Sequence, residues 1–274
     1  MRIWKYVYGT LVLALCVVAI ALLQLPDSNL HIIACDVGQG DAILIIYKNV
    51  QILTDGGPDN KVLNCLGKYL PFWDHEIELV ISTHPDADHS TGLIDVIKKY
   101  KVDKILINPL DPGTEVYRVL RNTVGSRGVE VVAPTRGMQL GVSLIRLDIL
   151  SEFDPLNSDT NVNSIVYKMQ FGKFLALFPG DIPQNVADAL AVTVGRVNYI
   201  KIPHHGSKNG MTLNLLKATD PGIAVISVAN KNLWGFPSPE ILKMLSDYNV
   251  TTLRTDKMGD VEVVTDGERI WWKK

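Results

Sequence analysis

The stretch IELVISTHPDADH, residues 77–89, decides which fold this chain is expected to adopt. Its first seven residues are mostly apolar and are typical of a buried strand, and the six that follow hold two aspartates and two histidines. Loops at strand ends commonly carry the functional groups of mixed α/β folds, and divalent metal ions bind this mixture of carboxylate oxygens and imidazole nitrogens. The candidate ligands here are His84, Asp86, Asp88 and His89. The alternative interpretation is a solvated polar loop.

Two more motifs follow strand-like apolar runs. FPGDI, residues 178–182, places Asp181 behind KFLALF, and IPHHGS, residues 202–207, holds His204 and His205. A hydrolytic dinuclear site holds two cations about 3.5–4 Å apart, and cations that close need a bridging anion. Asp181 is the candidate for that bridge, so the three motifs together predict a dinuclear metal site.

The rest of the chain after Pro26 alternates short apolar runs with turn residues and helix-like stretches. LHIIACDV, DAILIIYK and VQILTD resemble an antiparallel meander, and TTLRT, VEVVTDG and RIWW near the end predict another small one. Each half of the chain is rich in strands and flanked by helices. This pattern predicts two sheets packed together with helices outside.

Composition limits the function classes. The chain has 274 residues, 47% of them hydrophobic, which suffices for a sizeable core. Lys and Arg total 27 against 29 Asp and Glu, a formal net charge of -2. Nucleic-acid binders usually show an evident basic excess, so this balance does not indicate one, although it allows a locally basic groove. Lys201 and Lys208, beside IPHHGS, are the lysines best placed to meet a substrate phosphate there.

The three cysteines, Cys16, Cys35 and Cys65, have no Cys-x-x-Cys spacing. We expect them to be small buried apolar residues, not a disulfide framework or a thiolate metal site. His31 and His75 lie outside every motif and are predicted to be structural.

The N-terminus contains the uncharged run YVYGTLVLALCVVAIALLQL, residues 6–25, about the length needed to cross a bilayer. Arg2 and Lys5 precede it, so the positive-inside rule keeps the N-terminus in the cytoplasm and sends the rest outward. This predicts a membrane anchor at 1–26 and one domain at 27–274 outside the cytoplasm, attached to the cell membrane by a single pass. The alternative is a cleaved signal peptide and a secreted domain, for which an Ala-Ile-Ala sequence offers a weak cleavage site.

HPDADH, FPGDI and IPHHGS, in this order, resemble the metallo-β-lactamase superfamily. CDVGQGDAILI at 35–45, NSIVYKMQFGKFLALFPGDI at 163–182 and KIPHHGSKNG at 201–210 narrow the resemblance to the exported, C-terminal metallo-β-lactamase-like domain of ComEC-type DNA-uptake proteins. The resemblance covers roughly residues 30–270. It implies an α/β fold, a four-layer αβ/βα sandwich with the metal site at the sheet edges. It also implies two divalent metal ions, Zn²⁺ or Mn²⁺, and hydrolysis of phosphodiesters in DNA.

Carried over residue by residue, the resemblance implies a ligand set drawn from all three motifs. Its members are His84 and Asp86 at the first metal ion, Asp88 and His89 at the second, Asp181 as the bridge, and one of His204 and His205, with His205 favoured, to complete the second site. Asp88 and Asp181 are the residues implied to be catalytic. The residues expected to support the ligands or meet the substrate are Asp41, Asp55, Asn163, Ser207 and Lys208. Asp55 would orient a ligand, while Asp41 either shapes its turn or lines the cleft.

Two departures from the superfamily stand out. Residues 90–203 contain no histidine, whereas the superfamily has one on the loop that here reads TNVNS. Asn161 or Asn163 offers only a weak amide oxygen there, which favours a harder ion such as Mn²⁺ over tightly held Zn²⁺. Relatives also tend to carry a histidine where this chain has Phe236.

The leading hypothesis is therefore an exported, membrane-anchored metal-dependent phosphodiesterase, a nuclease acting on DNA in competence. One alternative keeps the fold and makes the substrate a cell-envelope phosphodiester. Another is a non-catalytic metal-binding module of a DNA-uptake assembly, which Phe236 and the missing loop histidine favour and the near-complete ligand set opposes. Since the chain has no polytopic channel segment, any role in transport predicts a separate channel protein as partner.

Overall fold

Two β-sheets form the centre of the structure, a computed structural model that describes residues 2–23, 25–108, 110–154, 157 and 159–273. The strands are β1 (Leu30–Ala34), β2 (Ile43–Tyr47), β3 (Val50–Thr54), β4 (Glu76–Ser82), β5 (Lys101–Ile107), β6 (Glu130–Val132), β7 (Gln139–Val142), β8 (Ile145–Ile149), β9 (Tyr167–Phe171), β10 (Phe174–Phe178), β11 (Tyr199–Lys201), β12 (Ile223–Ile226), β13 (Thr251–Arg254), β14 (Val261–Thr265) and β15 (Ile270–Lys273). The helices are α1 (Arg2–Leu23), α2 (Val62–Tyr69), α3 (Ala87–Lys99), α4 (Glu115–Arg127), α5 (Gln184–Ala191), α6 (Leu213–Thr219), α7 (Pro239–Asp247) and α8 (Thr255–Met258), with a short 3-10 turn at Pro203–Gly206.

The strand orders are β15-β14-β1-β2-β3-β4-β5-β6 in the first sheet and β13-β12-β11-β10-β9-β8-β7 in the second. In the first sheet β1, β2 and β3 form the expected antiparallel meander, and β3 to β6 are parallel. In the second sheet β10 to β13 are parallel. Helices α2 to α4 and α5 to α7 connect these parallel strands, as parallel neighbours require a crossover. The carboxyl ends of each parallel set therefore share one edge of their sheet.

Three apolar clusters hold the layers together. One lies between the sheets, a second lies between the first sheet and helices α2 to α4, and a third lies between the second sheet and helices α5 to α7. Strand β10 shows the reason, since Phe174, Ala176 and Phe178 enter the central cluster while Leu175 and Leu177 face the helices. A strand covered on both faces needs a continuous apolar run. The prediction of two packed sheets with helices outside is confirmed.

The predicted C-terminal meander is wrong in one of its three strands. β13 pairs with β12 in the second sheet, whereas β14 and β15 form a hairpin whose strand β14 pairs with β1 in the first. The inward residues of β14, Val261 and Val263, enter the central cluster that both sheets share. Because that cluster accepts apolar residues from either sheet, the apolar pattern alone does not assign the hairpin to one of them.

The expectation for the cysteines is also wrong. Cys35 and Cys65 form a disulfide with a Cα–Cα distance of 5.8 Å, joining the end of β1 to α2. Both are buried, as expected, but the fold brings together two residues 30 positions apart. Cys16 is a free, exposed cysteine.

The N-terminal segment forms α1, Arg2–Leu23. The predicted anchor lies partly outside the described residues, because residues 1 and 24 and the side chains of 2, 3 and 19–23 are not described. Within the residues that are described, no helix combines the length and apolar character needed to cross a membrane.

Candidate metal centre

The motifs predicted to carry metal ligands meet at the carboxyl ends of four strands. β3 ends just before Asp55, β4 leads into the segment 84–89, β10 leads to Asp181, and β11 leads to His204 and His205. β3 and β4 are parallel neighbours in one sheet, and β10 and β11 are parallel neighbours in the other. The loops that follow the two strands of each pair therefore lie at one edge of their sheet. The polar side chains of the two edges meet in one cluster.

Backbone contacts clamp the loop that carries the ligands. The Gly56 N–H donates to the His89 carbonyl at 2.7 Å, and the Asp41 N–H donates to the Asp88 carbonyl at 3.3 Å. Gly40 has a φ of 138° and lies directly against the Asp88 carbonyl, so a Cβ would clash there. The glycines of GQGD and DGG thus allow their segments to approach the start of α3 closely.

Three histidines form the buried centre of the site. His84, His89 and His205 are at most 2% exposed, and their ring centroids are 4.0 Å apart for His84 and His89 and 5.3 Å apart for His89 and His205. The Nε2 atom of each is buried without a hydrogen-bond partner. Since buried polar atoms nearly always have partners, three unpartnered imidazole nitrogens beside carboxylates are an arrangement that fits divalent metal ions.

Two carboxylates face these nitrogens. Asp181 Oδ2 lies 3.4 Å from His89 Nε2 and 3.3 Å from His205 Nε2, while Asp88 Oδ2 lies 3.4 Å from His205 Nε2 and 3.9 Å from His89 Nε2. The other oxygen of Asp181, Oδ1, accepts the backbone N–H of His204 at 3.2 Å. Asp181 is thereby held against His89 and His205, and its charge also acts on His84.

Asp86 stands beside His84 on the open side of the cluster. Its Oδ2 is 3.9 Å from His84 Nε2, and its Oδ1 accepts a hydrogen bond from Thr160 Oγ1 at 2.7 Å. The side chains of Asp86 and Asp88 are 42% and 38% exposed, unlike the buried histidines. A solute can therefore reach the cluster from the side of these two carboxylates.

Asp55 fixes the orientation of His89. The Asp55 carboxylate accepts hydrogen bonds from His89 Nδ1 at 2.8 Å, from the Thr83 N–H at 2.8 Å and from Thr83 Oγ1 at 2.6 Å. These donors occupy both of its oxygens, which suits a supporting role better than direct ligation. Because the Thr83 proton points to Asp55, the Thr83 oxygen can accept from His84 Nδ1, 3.0 Å away.

A main-chain carbonyl orients the His205 ring in the same way as Asp55 orients His89. Its Nδ1 lies 3.0 Å from the Ser227 carbonyl, which can only accept, so Nδ1 carries the proton. The partners of His84 and His89 likewise place a proton on Nδ1. All three neutral rings therefore turn an Nε2 lone pair into the cluster, as metal-binding histidines require.

The electrostatics of the cluster favour positive charge. Burial opposes protonation of His205, but Asp181 and Asp41 outweigh it and raise the His205 pKa well above its usual value. Asp181 and Asp55 likewise outweigh burial and raise the pKa of His89. Burial opposes ionisation of Asp181, yet the neighbouring His205 and His89 hold its pKa well below the usual value. Protons and metal cations therefore compete for the same nitrogens.

His84 and Asp88 complete this picture. Burial, together with the charge of His89, lowers the pKa of His84. The pKa of Asp88 is lowered despite its burial, because the imidazoles of His205 and His89 lie close to its carboxylate. A neutral imidazole and an ionised carboxylate are the forms that bind a cation.

Lys201 and Asp41 form a buried ion pair next to the cluster. Lys201 Nζ lies 2.7 Å from Asp41 Oδ2, with side chains 1% and 3% exposed, and Asp41 Oδ1 is 3.5 Å from His205 Nδ1. Lys201 opposes the effect of burial on Asp41 and lowers the Asp41 pKa. The prediction that Lys201 contacts substrate phosphate is therefore wrong. The feature of the sequence that indicates the burial of Lys201 is its position at the end of strand β11, which is otherwise apolar.

The remaining predicted residues lie around the cluster. The Asn163 amide supports its own loop, accepting from the Asp154 N–H at 2.7 Å and donating to the Asp154 carbonyl at 3.2 Å. Ser207 Oγ accepts from the Asn209 N–H at 3.2 Å and shapes the turn after the histidines. Lys208 is exposed on that turn. Asn161 Oδ1 is buried without a hydrogen-bond partner.

His204 has different neighbours from His205. His204 and His205 have φ values of 52° and 53°, a left-handed conformation that costs free energy in residues other than glycine, and their rings are 85° apart. The His204 ring lies 5.9 Å from that of Phe236, edge to face. His205 is thus the member of the pair whose ring contacts Asp181.

Comparisons with known proteins show which sequences and folds this chain resembles. No protein-family model matches the chain. It is 27% identical over 256 residues to Recombination protein 2 of Haemophilus influenzae, covering 92% of this chain and 31% of that one. It is 24% identical over 250 residues to ComE operon protein 3 of Bacillus subtilis, covering 83% and 32%. The chain spans about a third of the length of these curated relatives. Among solved structures, the metallo-β-lactamase fold protein YhfI from Bacillus subtilis gives a TM-score of 0.58 at 11% identity, covering 89% of this chain and 100% of that one.

Proposed function

We propose that this chain, which has a metallo-β-lactamase-like fold and is similar to Recombination protein 2 and ComE operon protein 3, is a metal-dependent phosphodiesterase that cleaves DNA in competence. The observation that carries the proposal is the set of three buried, unpartnered Nε2 atoms. They surround carboxylates that are open to solvent on one side, as a hydrolytic site requires.

The contacts within the cluster support a proposed ligand set. It comprises His84 and Asp86 at one position and Asp88, His89 and His205 at the other. Asp181, which lies against His89 and His205, is proposed as the bridge. Two divalent ions held there would supply Lewis acidity toward a phosphoryl oxygen and a nucleophilic water near neutral pH. The protein itself presents the lone pairs, since Asp55, Thr83 and the Ser227 carbonyl hold each imidazole proton on Nδ1.

The donor set favours Mn²⁺ over Zn²⁺. The position beside His84 has carboxylate oxygen and the amide of Asn161 within the nearby loop, where a histidine would supply a softer nitrogen. Oxygen ligands suit harder ions, of which Mn²⁺ is one. We propose Mn²⁺ as the ion that supports activity best.

We also propose that residues 1–26 anchor the chain in the cell membrane and that residues 27–274 work outside the cytoplasm. The Cys35–Cys65 disulfide supports this location, because disulfides persist in oxidising compartments and are rare in the cytosol. Secretion after cleavage of the N-terminal segment is the alternative.

The experiment that tests the proposal combines metal analysis with hydrolysis. The full-length protein is loaded with Mn²⁺ or Zn²⁺ and offered single-stranded DNA, duplex DNA and bis(p-nitrophenyl) phosphate. We expect Mn²⁺-dependent cleavage of single-stranded DNA. Asp181→Ala should lose at least one ion and the activity, because two cations would then face each other without a bridge. Asp95→Ala, on the exposed face of α3, is the control and should retain both.

Other outcomes identify the rival functions. An Asp181→Ala protein that keeps two ions per chain contradicts the ligand assignment. Cleavage of the small phosphodiester but of no DNA would assign the chain to cell-envelope phosphodiesters, which the net charge of -2 allows. A fully metallated protein that cuts neither substrate would be a metal-binding module of an uptake assembly.

A further inference from the structure

An exposed aromatic surface borders the metal centre. We call it the aromatic platform, and it consists of Trp234, Phe236 and His204. The rings of Trp234 and Phe236 are nearly parallel, 19° apart, with centroids 6.4 Å from each other, and the Phe236 ring is 5.9 Å from that of His204. Trp234 is 62% exposed. Because His204 adjoins His205, the platform leads from solvent to the edge of the cluster.

Hydrogen bonds fix the loop that carries the platform. Asn232 Oδ1 accepts from the Phe236 N–H at 2.8 Å, and Asn232 Nδ2 donates to the Phe236 carbonyl at 2.7 Å. The Ser238 N–H donates to the Gly206 carbonyl at 2.9 Å. Gly206 also packs so closely on Pro237 that a Cβ would not fit. The loop is therefore held against the turn that presents His205.

The chemistry of this loop points to a particular ligand. Segment 229–239, ANKNLWGFPSP, contains Lys231 and no acidic residue, and both Lys231 and Lys208 of the neighbouring turn are exposed. Aromatic rings beside lysines bind single-stranded nucleic acid, because bases stack on the rings while the lysines meet phosphates. A duplex keeps its bases stacked on one another, and a polyol phosphate chain has no rings to stack.

We propose that the aromatic platform binds the nucleobases of a single strand whose backbone enters the metal centre. This inference rests on the proposed function, and it adds the residues that select single-stranded nucleic acid as the substrate class. Trp234 is the principal stacking residue, since it is the most exposed of the three rings. Stacking does not depend on base identity, so little sequence preference is expected.

Binding of a fluorescein-labelled oligothymidylate to the full-length protein tests the proposal. Fluorescence anisotropy is measured with Ca²⁺ replacing Mn²⁺, so that the strand is not consumed. One stacked base contributes about 1–3 kcal/mol, which corresponds to roughly five- to 150-fold in affinity. Trp234→Ala should lose affinity in that range, while Trp234→Phe keeps an aromatic face and should retain most of it.

Two controls make the result specific. Trp73→Ala removes a tryptophan that is 44% exposed and precedes the amino end of β4, whereas His84 follows the carboxyl end. Its affinity should equal that of the wild type. An abasic deoxyribose-phosphate oligomer of equal length should bind the wild type as weakly as the thymidylate binds Trp234→Ala. Circular dichroism verifies that each variant is folded.

The outcomes separate this inference from the proposed function. Equal affinity of wild type and Trp234→Ala, or equal affinity of the wild type for thymidylate and abasic strands, overturns the stacking role even if phosphodiesters are cleaved. In that case Trp234 and the 98% exposed Leu233 would contact a protein or a bilayer instead. If Trp234→Ala specifically loses affinity for the oligothymidylate while the wild type cleaves no phosphodiester, the stacking role of the platform is supported and the catalytic proposal is overturned.

Discussion

Replacing Lys201 by methionine should destabilise the protein strongly, because it leaves the Asp41 carboxylate buried without its cation. The two side chains are 1% and 3% exposed, and Nζ lies 2.7 Å from Oδ2. Methionine matches the length of most of the lysine side chain and fits an apolar strand. The substitution therefore removes the charge and little of the packing.

The magnitude follows from the geometry. At an effective dielectric constant of about 20, two unit charges at this distance attract by about 6 kcal/mol, and the cost of desolvating them offsets part of that. Removing one partner of a buried pair typically costs about 3–5 kcal/mol. Asp41 Oδ1 keeps His205 Nδ1 at 3.5 Å, so the low end of this range, about 3 kcal/mol, is expected. Total stabilities of about 5–15 kcal/mol make such a loss easy to measure.

Urea unfolding followed by circular dichroism provides the assay. Lys201→Met, Asp41→Asn and the double variant form a cycle in which the double variant should recover most of the loss, because neither charge remains. Lys101→Met is the control, since Lys101 pairs with Glu76 at the surface and is 70% exposed. Exposed pairs contribute about 0.2–1 kcal/mol. A Lys201→Met variant no less stable than Lys101→Met, or a cycle without coupling, would refute the buried pair.

Two further predictions concern the histidine pair and the disulfide. His205→Ala should lose bound metal because its ring contacts Asp181, whereas His204→Ala should keep most of it because its ring packs on Phe236. Equal losses on metal analysis would contradict this assignment. Cys35→Ala with Cys65→Ala should lower the free energy of unfolding by about 3–4 kcal/mol, given the loop that the disulfide closes. Cys16→Ser is the control, and three free thiols in the unfolded, unreduced wild type would rule out the disulfide.

The sequence predicted the parts of this molecule that depend on local pattern. Segment 77–89 shows a strand and a ligand-rich loop side by side, and the order of the three motifs specifies which strand ends must meet. The hairpin of β14 and β15 could not be placed in the same way. Its inward residues fit the central core from either sheet, so only the pairing of β14 with β1, more than 200 residues earlier in the chain, decides. The sequence did not identify Cys65 as the disulfide partner of Cys35 for a similar reason, because the two cysteines are 30 positions apart in the chain.

The polar partners of the cluster could not be predicted from the sequence either, although each of them lies near a motif. Thr83 immediately precedes His84, and nothing in its type reveals that it joins Asp55 to that histidine. Lys201 resembled a surface lysine because it adjoins IPHHGS. Its burial becomes visible only when β11 is found between β10 and β12, in the interior of the second sheet.

The sequence pattern does not distinguish His204 from His205, because the difference between them depends on the conformation of the backbone. Both residues follow the same strand, and both have the ring that a metal ion needs. In the left-handed turn at Pro203–Gly206 the two ring planes are nearly perpendicular, and the His205 ring contacts Asp181 while the His204 ring contacts Phe236. The glycine that closes the turn was visible in the sequence, but its contact with Pro237 and the ring neighbours of the two histidines were not. The sequence therefore identifies the histidine pair, and only the structure shows that His205 lies against Asp181 while His204 lies against Phe236.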